Sequence, residues 1–303
     1  MQRQKFVAAA CVAGLFLGLA PHAAAVSDTP AARDEKLTLT VDGRARTATV
    51  HVPSKAPGSA GYPVVLAFHG RLGDGAGQER LTHLSDVADE KGFLVVYPDG
   101  YRRSWNDGRP DTPANRAGVN DVKFVQHLLD RIESRYRVDT RRIYATGMSN
   151  GGFLTQRLGC RLADRIAAIA PVAATLPTKL GSSCRPAKRM PMLMVMGTAD
   201  PLVPYRGGNG LLSAPASAAR WRALAGCTGT RSTKLPDRRN DGTRVAVVRG
   251  TGCRAAVKLY TVTGGGHTWP GGRQYLPAAT VGRTSKDFDA SRTIWSFFAG
   301  KRR

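Results

Sequence analysis

Six short runs of apolar residues recur along the chain, and each is too short to be a typical helix. They are residues 64–68, 93–97, 143–146, 166–172, 192–196 and 257–262. A strand that is apolar on both sides is typical of a parallel sheet whose two faces are both covered. The pattern therefore predicts a set of buried parallel strands.

Apolar residues also recur at steps of three or four, as on one side of a helix, in three further segments. These are 78–90 (Leu81, Leu84, Ala88), 122–136 (Val122, Val125, Leu129, Ile132, Tyr136) and 291–298 (Ile294, Trp295, Phe298). Asn120 or Asp121 can cap the second segment, because both side chains accept hydrogen bonds from free N–H groups at a helix start. Strands alternating with helices indicate an α/β fold with a mostly parallel, doubly covered sheet.

An antiparallel hairpin is predicted before the parallel strands. Segments 36–41 and 44–52 are rich in β-forming residues, and Asp42-Gly43 between them is a strong two-residue turn signal. No internal repeat, low-complexity linker or change of composition follows. We therefore expect a single domain from residue 35 to residue 303.

The first 25 residues have a different character. Arg3 and Lys5 precede an apolar stretch at 6–20, which is followed by three alanines at 23–25. This order is typical of a secretory signal peptide, and the stretch is shorter than the roughly 20 residues that a membrane-spanning helix needs. Removal of residues 1–25 is therefore predicted to release an extracellular or periplasmic protein without a membrane span.

Four cysteines follow the predicted signal peptide: Cys160, Cys184, Cys227 and Cys253. An even number in an oxidising compartment suggests two disulfides. Of the three possible connectivities, Cys160–Cys184 with Cys227–Cys253 closes the two shortest loops. No CxxC motif or His/Cys cluster indicates a metal site.

The chain is strongly basic, with 45 Lys and Arg residues against 22 Asp and Glu and a formal net charge of +23. Such an excess can attract an anionic polymer. The basic residues are nevertheless spread along the chain, without the dense run or interleaved aromatic residues of a nucleic-acid interface. We expect a solvated cationic surface and no nucleic-acid partner; a non-catalytic protein that binds an anionic polymer is the alternative from another class.

A candidate nucleophile stands at the end of one predicted strand. Residues 143–146 lead into Gly147-Met148-Ser149-Asn150-Gly151, a Gly-x-Ser-x-Gly motif that precedes an expected helix. In this context the serine lies on a sharp strand-to-helix turn, and the two glycines leave room for the crowded backbone. The N–H of Asn150, at the start of the helix, can then stabilise an oxyanion.

A second oxyanion donor is expected from a loop that follows an early strand. The predicted strand 64–68 ends in His69-Gly70-Arg71. We assign the backbone N–H of Arg71 to this role, because two donors share the developing charge better than one.

His267 is the best candidate for the base that a serine nucleophile needs. It follows the predicted strand 257–262 and lies in a glycine-rich, flexible loop at 264–272, a position where functional residues gather. Three other histidines lie in the hairpin or in predicted helices and are expected to be surface or packing residues: His51, His83 and His127.

An acidic residue must hold the imidazole in one tautomer. Asp200 meets this need, because the predicted strand 192–196 leads into Gly197-Thr198-Ala199-Asp200. Three rivals lack such a strand-to-loop context: Asp237, Asp241 and Asp287. The chain order Ser149, Asp200, His267 is the order of α/β-hydrolases.

Three stretches carry a family resemblance: 146–152, 97–100 together with Trp105-Asn106, and 264–272. They resemble the secreted polyhydroxybutyrate depolymerase and feruloyl esterase family over nearly the whole chain after the predicted signal peptide. The resemblance implies an α/β-hydrolase fold and hydrolysis of carboxylic esters through an acyl-enzyme. It implies catalysis by Ser149, Asp200 and His267 without a metal or cofactor.

The resemblance leaves the ester substrate open. Polyhydroxybutyrate and related oligoesters are expected slightly ahead of feruloyl or acetyl esters of plant polysaccharide. Only about twenty residues separate Val172 from Met192, too few for a large lid, so we expect an open cleft. Trp269 and Trp105 are candidates for its apolar walls, with packing inside the fold as the alternative for both.

Overall fold

A computed structural model of the protein describes residues 1–2, 4–10 and 31–303, so most of the predicted signal peptide lies outside the described residues. Within these ranges the chain forms one ten-stranded sheet with helices packed on both faces. None of the helices described is both long enough and apolar enough to cross a membrane.

The sheet is parallel in its centre and antiparallel at both edges. Its strands are β1 Arg33–Val41, β2 Arg44–Val52, β3 Tyr62–Phe68, β4 Leu94–Pro98, β5 Val138–Met148, β6 Ala168–Val172, β7 Met192–Gly197, β8 Gly229–Lys234, β9 Arg244–Thr251 and β10 Val257–Thr263. Their order is β1-β2-β4-β3-β5-β6-β7-β10-β9-β8, and the six strands from β4 to β10 in this order run parallel. The carboxyl ends of β3, β5, β7 and β10 therefore meet at one edge of the sheet.

Helices cover both faces, as the apolar runs predict. They are α1 Gly75–Thr82, α2 Leu84–Lys91, α3 Pro113–Arg116, α4 Asp121–Arg135, α5 Asn150–Arg161, α6 Thr178–Ser183, α7 Ala214–Leu224, α8 Ala278–Val281 and α9 Ala290–Phe298. One buried cluster joins α4, α5 and α7 to the sheet, and a second joins α2 and α9 to the opposite face. Asn120 caps α4, with its side chain accepting a hydrogen bond from the Lys123 N–H.

The predicted hairpin is confirmed as β1 and β2. Its turn residues Asp42 and Gly43 have φ angles of 49° and 72°, and a two-residue turn of the favoured hairpin type requires positive φ at both positions. The pairing runs antiparallel from Val41 opposite Arg44 to Arg33 opposite Val52. The hairpin forms one edge of the sheet.

The single helix expected over 78–90 is wrong, because two helices, α1 and α2, occupy this region. His83 joins them with a left-handed φ of 53°. The carbonyl oxygen of Thr82 accepts a hydrogen bond of 2.6 Å from the Ser291 hydroxyl on α9. The hydroxyl of Ser291, from a distant part of the chain, thus bonds to a carbonyl group at the point where the helix breaks.

Strands β8 and β9 were not expected from the apolar pattern. Every residue of β8 is exposed, so this strand has no apolar face that could produce an alternating pattern. Its position follows from pairing with β9, which in turn pairs with β10. The edge strand β8 is therefore a product of backbone hydrogen bonding rather than of side-chain burial, whereas β9 buries Val245 and Val247.

Both expected disulfides, Cys160–Cys184 and Cys227–Cys253, are present. The first joins the last turn of α5 to the residue after α6. Two disulfides indicate a protein that folds outside the reducing cytosol. The segment between β6 and β7 contains only the six-residue helix α6, so the site at this edge has no large lid from this connection.

Candidate active site

Ser149 lies on a strained turn between β5 and α5. Its backbone has φ 56° and ψ −121°, an unusual conformation for a residue with a side chain. A Cβ atom added to Gly151 would lie 2.2 Å from the carbonyl oxygen of Phe68, and one added to Gly147 would lie 2.7 Å from the same oxygen. The two glycines of the motif are therefore required by close backbone packing against the end of β3.

Asp200 and His267 are in direct contact at the same edge of the sheet. The Nδ1 atom of His267 lies 2.8 Å from Oδ2 of Asp200, and both side chains are buried. The other oxygen of Asp200 accepts hydrogen bonds from the N–H groups of Leu202 and Val203, at 2.9 and 2.8 Å. With Nδ1–H donating to the carboxylate, Nε2 of the imidazole is the nitrogen that can accept a proton.

The loop that carries His267 is held in place, which corrects the expectation that it is flexible. The N–H of Ala199 donates to the carbonyl of Gly265 at 2.9 Å, and the N–H of Gly266 donates to that of Arg283 at 2.9 Å. The Tyr275 hydroxyl donates to the carbonyl of His267 itself at 3.0 Å. Burial and the nearby negative charge of Asp200 raise the pKa of Tyr275 to about 12, so this hydroxyl keeps its proton at neutral pH.

The rival acids are engaged elsewhere. Asp287 accepts hydrogen bonds from the N–H groups of Arg238 and Arg239, Asp241 accepts from Thr243 and from the Lys286 N–H, and Asp237 pairs with Arg244. His83 and His127 are exposed, and His51 is buried in the hairpin. Among these candidates, only Asp200 contacts His267 in the described residues.

The segments that carry the two predicted oxyanion donors both lie close to Ser149. The N–H of Asn150 is in the first turn of α5, and neither it nor the N–H of Arg71 has a hydrogen-bond partner among the described residues. A Cβ atom on Gly70 would lie 3.5 Å from Cβ of Ser149, so the loop that carries Arg71 runs beside the nucleophile. Both segments therefore lie next to Ser149, and the role of the two N–H groups stays a prediction.

Trp105 is not a wall of the cleft, because its side chain is completely buried. Its indole Nε1–H donates to the carbonyl of His69 at 2.9 Å, and its backbone N–H donates to the Asn150 side chain at 2.7 Å. Trp105 thus joins the two segments that carry the predicted oxyanion donors. The expectation of a substrate contact is wrong for this residue, and the alternative of packing is confirmed.

Trp269 is also completely buried, so the expectation of a substrate contact is wrong here too. Its Nε1–H donates to the Ser291 hydroxyl at 3.0 Å. The same hydroxyl donates to the Thr82 carbonyl at the α1–α2 junction. Trp269 therefore anchors the loop of His267 to α9.

A buried polar network lies behind Asn150, and the sequence did not predict it. The Asn150 side chain donates to the Trp105 carbonyl at 3.1 Å and to the Asp107 carboxylate at 2.7 Å. Asp107 also pairs with Arg109 at 2.7 Å, while burial raises the pKa of its carboxyl. The one available signal was the Trp105-Asn106 pair in the family resemblance, because no periodicity marks this loop.

His69 was also missed as a supporting residue. It is buried, its Nδ1 lies 2.7 Å from the Gly70 carbonyl, and its Nε2 accepts a hydrogen bond from the Gly100 N–H at 2.9 Å. The second bond requires an unprotonated Nε2, and burial lowers the pKa of His69 accordingly. The neutral ring therefore holds the Gly70 segment against the loop at Gly100.

We expect His69 to make the protein sensitive to acid. Because its pKa is lowered in the folded state, the contribution of the neutral ring to stability is present above the unfolded value near 6.5 and decreases as the pH falls below it. His69→Asn should lower the free energy of unfolding by about 2 kcal/mol at pH 7.5, since the Gly100 N–H loses its acceptor. Urea unfolding at pH 7.5 and 5.0 should then show a smaller decrease in the variant than in the wild type. An equal decrease in both would contradict this role.

One group of residues has the composition of a metal site. Asp34, His51 and Glu79 offer ligand atoms that lie within 4.8 Å of one another. The two ring nitrogens of His51 lie 2.8 Å from Asp34 and 3.2 Å from Asp89, so each already faces a carboxylate. The group lies at the hairpin edge of the sheet and includes none of the residues around Ser149.

Comparison of the chain with known proteins identifies related esterases. Residues 49–203 match the family model described as esterase PHB depolymerase. The chain is 32% identical over 295 residues to a protein named as an esterase, NocK, from Nocardia uniformis subsp. tsuyamanensis, covering 86% of this chain and 81% of that one. It is 32% identical over 239 residues to feruloyl esterase B of Piromyces equi, covering 73% of this chain and 42% of that protein.

A solved structure supports the fold. The acetyl xylan esterase from Aspergillus awamori superposes with a TM-score of 0.57 at 16% sequence identity, over 77% of this chain and 94% of that one. The fold and these likenesses define a carboxylic ester hydrolase of the α/β-hydrolase type. The chain belongs to the esterase PHB depolymerase family.

Proposed function

We propose that Ser149, His267 and Asp200 form the catalytic triad of this esterase. The observation that supports the proposal is the buried contact between Asp200 and His267 at the sheet edge where the strained turn presents Ser149. Asp200 fixes the imidazole in the tautomer whose Nε2 is unprotonated. The hydrogen bonds to Leu202 and Val203 keep that carboxylate oriented during turnover.

The reaction proceeds in two acyl-transfer steps. Nε2 of His267 removes the proton from the Ser149 hydroxyl as its oxygen attacks the ester carbonyl, and the oxyanion is stabilised by the N–H groups of Asn150 and Arg71. The protonated imidazole then gives its proton to the leaving alcohol, and the acyl group remains on the serine. In the second step His267 activates a water molecule that releases the acid and restores the serine.

Four exposed apolar side chains lie close in sequence to residues of the proposed site, and this observation supports the substrate class. Within residues 31–303, the exposed large apolar side chains are Leu72, Leu202, Tyr275 and Leu276, with exposed fractions of 70%, 59%, 40% and 45%. Leu72 follows Arg71, Leu202 lies two residues after Asp200, and Tyr275 bonds to the His267 carbonyl. We infer that these side chains together form an apolar binding surface beside the triad.

An uncharged, methyl-bearing ester chain fits these four residues, which we call the apolar rim. The substrate we propose is therefore a polyhydroxyalkanoate or its oligomers. Feruloyl esters are the second candidate, because the relative from Piromyces equi is a feruloyl esterase and the exposed ring of Tyr275 can pack against an aromatic acid. Acetyl esters of xylan are less favoured, since an acetyl group offers only one methyl group to an apolar surface.

The rim predicts a selective loss of activity on long substrates. Leu202→Ser with Leu276→Ser should raise the KM for a hydroxybutyrate trimer about tenfold, because burying about half of two leucine side chains contributes roughly 1.5 kcal/mol or more. Hydrolysis of p-nitrophenyl acetate by the same variant should change less than about twofold, because the single methyl group of the acetyl ester offers little apolar area to bury. Initial rates on both substrates measure the effect.

Two further substrates decide between the candidates. Methyl ferulate and the trimer are compared at equal concentrations with the wild-type enzyme, and the acids released are identified by chromatography. A preference for methyl ferulate that is lost in Tyr275→Ser would replace the polyester proposal by the feruloyl one. Equal loss on p-nitrophenyl acetate and the trimer in the double leucine variant would show that the rim supports the triad rather than the substrate.

Two proposals about the chain as a whole accompany this function. We infer that residues 1–25 are a signal peptide and that residues 35–303 form a single catalytic domain secreted to the periplasm or the exterior. The two disulfides support export. The mass of the exported protein, measured intact, would identify the cleavage position and contradict the proposal if residues 1–25 were retained.

A further inference from the structure

Three positive side chains stand in a row across the antiparallel edge of the sheet. Arg231 of β8 pairs directly with Arg249 of β9, and Arg249 pairs directly with Lys258 of β10. Directly paired residues share one face of a sheet, with strands about 4.8 Å apart. The register therefore places three like charges side by side.

A fourth positive charge extends the row from the end of the chain. Lys301 and Lys258 place their Nζ atoms 5.4 and 5.8 Å from the centre of the same Phe297 ring. Partial burial lowers the pKa of Lys258, and the charges of Lys301 and Arg249 lower it further. We call Arg231, Arg249, Lys258 and Lys301 the cation row.

The row lacks the acidic partners that would offset its repulsion. Within the described residues, none of its four side chains forms an ion pair, although eighteen ion pairs occur elsewhere, from Arg33–Glu35 to Arg302–Asp139. Like charges placed directly opposite each other destabilise a sheet. A row of this kind is neutralised by a ligand that carries several negative charges at a similar spacing.

The cation row lies far from the triad. Lys258 is the second residue of β10, whereas His267 follows the carboxyl end of the same strand at Thr263. Five residues of strand separate these ends by about 17 Å. A ligand on the row therefore leaves the edge of the sheet with Ser149 open.

We propose that the cation row binds an acidic polysaccharide and so holds the enzyme on an anionic matrix while the triad remains free. Charge complementarity along a row that crosses three adjacent strands supports a linear polyanion. The aromatic ring at the row, that of Phe297, is 5% exposed and lies beneath the two lysines. It cannot stack on bases as single-stranded nucleic acids require, which favours a polymer recognised by charge alone. The proposal does not depend on the substrate of the triad.

The test measures the binding of polygalacturonate to the full mature enzyme between 20 and 200 mM NaCl. Affinity falls as salt rises, so a plot of log affinity against log salt has a negative slope. In a triple variant, Arg231→Gln, Arg249→Gln and Lys258→Gln, this slope should become less steep by about 2, since each lost charge contact reduces its magnitude by roughly 0.7. Its thermal unfolding at low salt should be unchanged or shifted upward, because three repelling charges are removed. Its hydrolysis of p-nitrophenyl acetate should equal that of the wild type.

A matched variant separates the row from the overall charge. Lys36→Gln, Arg131→Gln and Arg161→Gln also remove three exposed positive charges, none of which has an ion-pair partner among the described residues. Lys36 lies on β1 at the opposite edge of the sheet. Equal weakening of polygalacturonate binding by both triple variants would overturn the proposal. Tighter binding of a 20-base-pair DNA duplex than of polygalacturonate, lost in the row variant, would show a nucleic-acid site instead.

Discussion

Ser149→Ala is expected to lower kcat for p-nitrophenyl acetate by roughly 10⁴-fold or more, because the acyl-enzyme can no longer form. The remaining turnover would come from the oxyanion donors and the bound geometry alone. Alanine keeps a Cβ atom, so the strained conformation at this position is the same in both proteins. The thermal unfolding midpoint should therefore stay within about 2 °C of the wild type.

The measurement uses purified mature enzyme and variant in parallel, with Ser182→Ala as the control. Ser182 is an exposed serine on α6, outside the site, and its loss should leave kcat unchanged. Equal turnover by wild type and Ser149→Ala would show that another group is the nucleophile. It would also restore the non-catalytic alternative for this chain.

Asp200→Asn is expected to lower kcat by about 10³- to 10⁴-fold, because it changes the tautomer of the base His267. The amide oxygen of asparagine can keep the bonds from Leu202 and Val203, which are now made to Oδ1 of the acid. Its NH₂ group then faces Nδ1 of His267 and forces that nitrogen to accept. The proton moves to Nε2, which can no longer take the proton of Ser149.

Asp287→Asn is the matched control for this change. Asp287 is also a buried acid whose carboxylate accepts two backbone N–H bonds, from Arg238 and Arg239, but it does not contact His267. Its variant should retain kcat within about threefold. Steady-state rates on p-nitrophenyl acetate compare the two, and a larger loss in Asp287→Asn would make Asp287 the partner of the base.

The sheet shows which strands a pattern of apolar residues can predict. The central strands were predictable because each buries both faces, so consecutive residues along the strand are apolar. β8 carries no such requirement, since all its residues are exposed and only its hydrogen bonds to β9 define it. The break at His83 was equally invisible, because Ser291, more than two hundred residues away, supplies the competing hydrogen bond.

The sequence by itself determined the class of chemistry. The Gly-x-Ser-x-Gly motif needs local crowding that only glycine tolerates, and the order of Ser149, Asp200 and His267 follows from where strands end. Chain connectivity and sterics act over a few residues, so a sequence records them directly. The disulfide pairing was predictable for the same reason, because short loops favour it.

Tertiary structure alone decided the roles of the two tryptophans, His69 and the cation row. An indole side chain has the same chemistry in a cleft wall and in a core, and only burial with the bonds to His69 and Ser291 assigns Trp105 and Trp269 to the core. The row depends on the register of three strands, which a shift of one residue would place on the opposite face. These features arise from contacts between distant segments, and local sequence carries no record of such contacts.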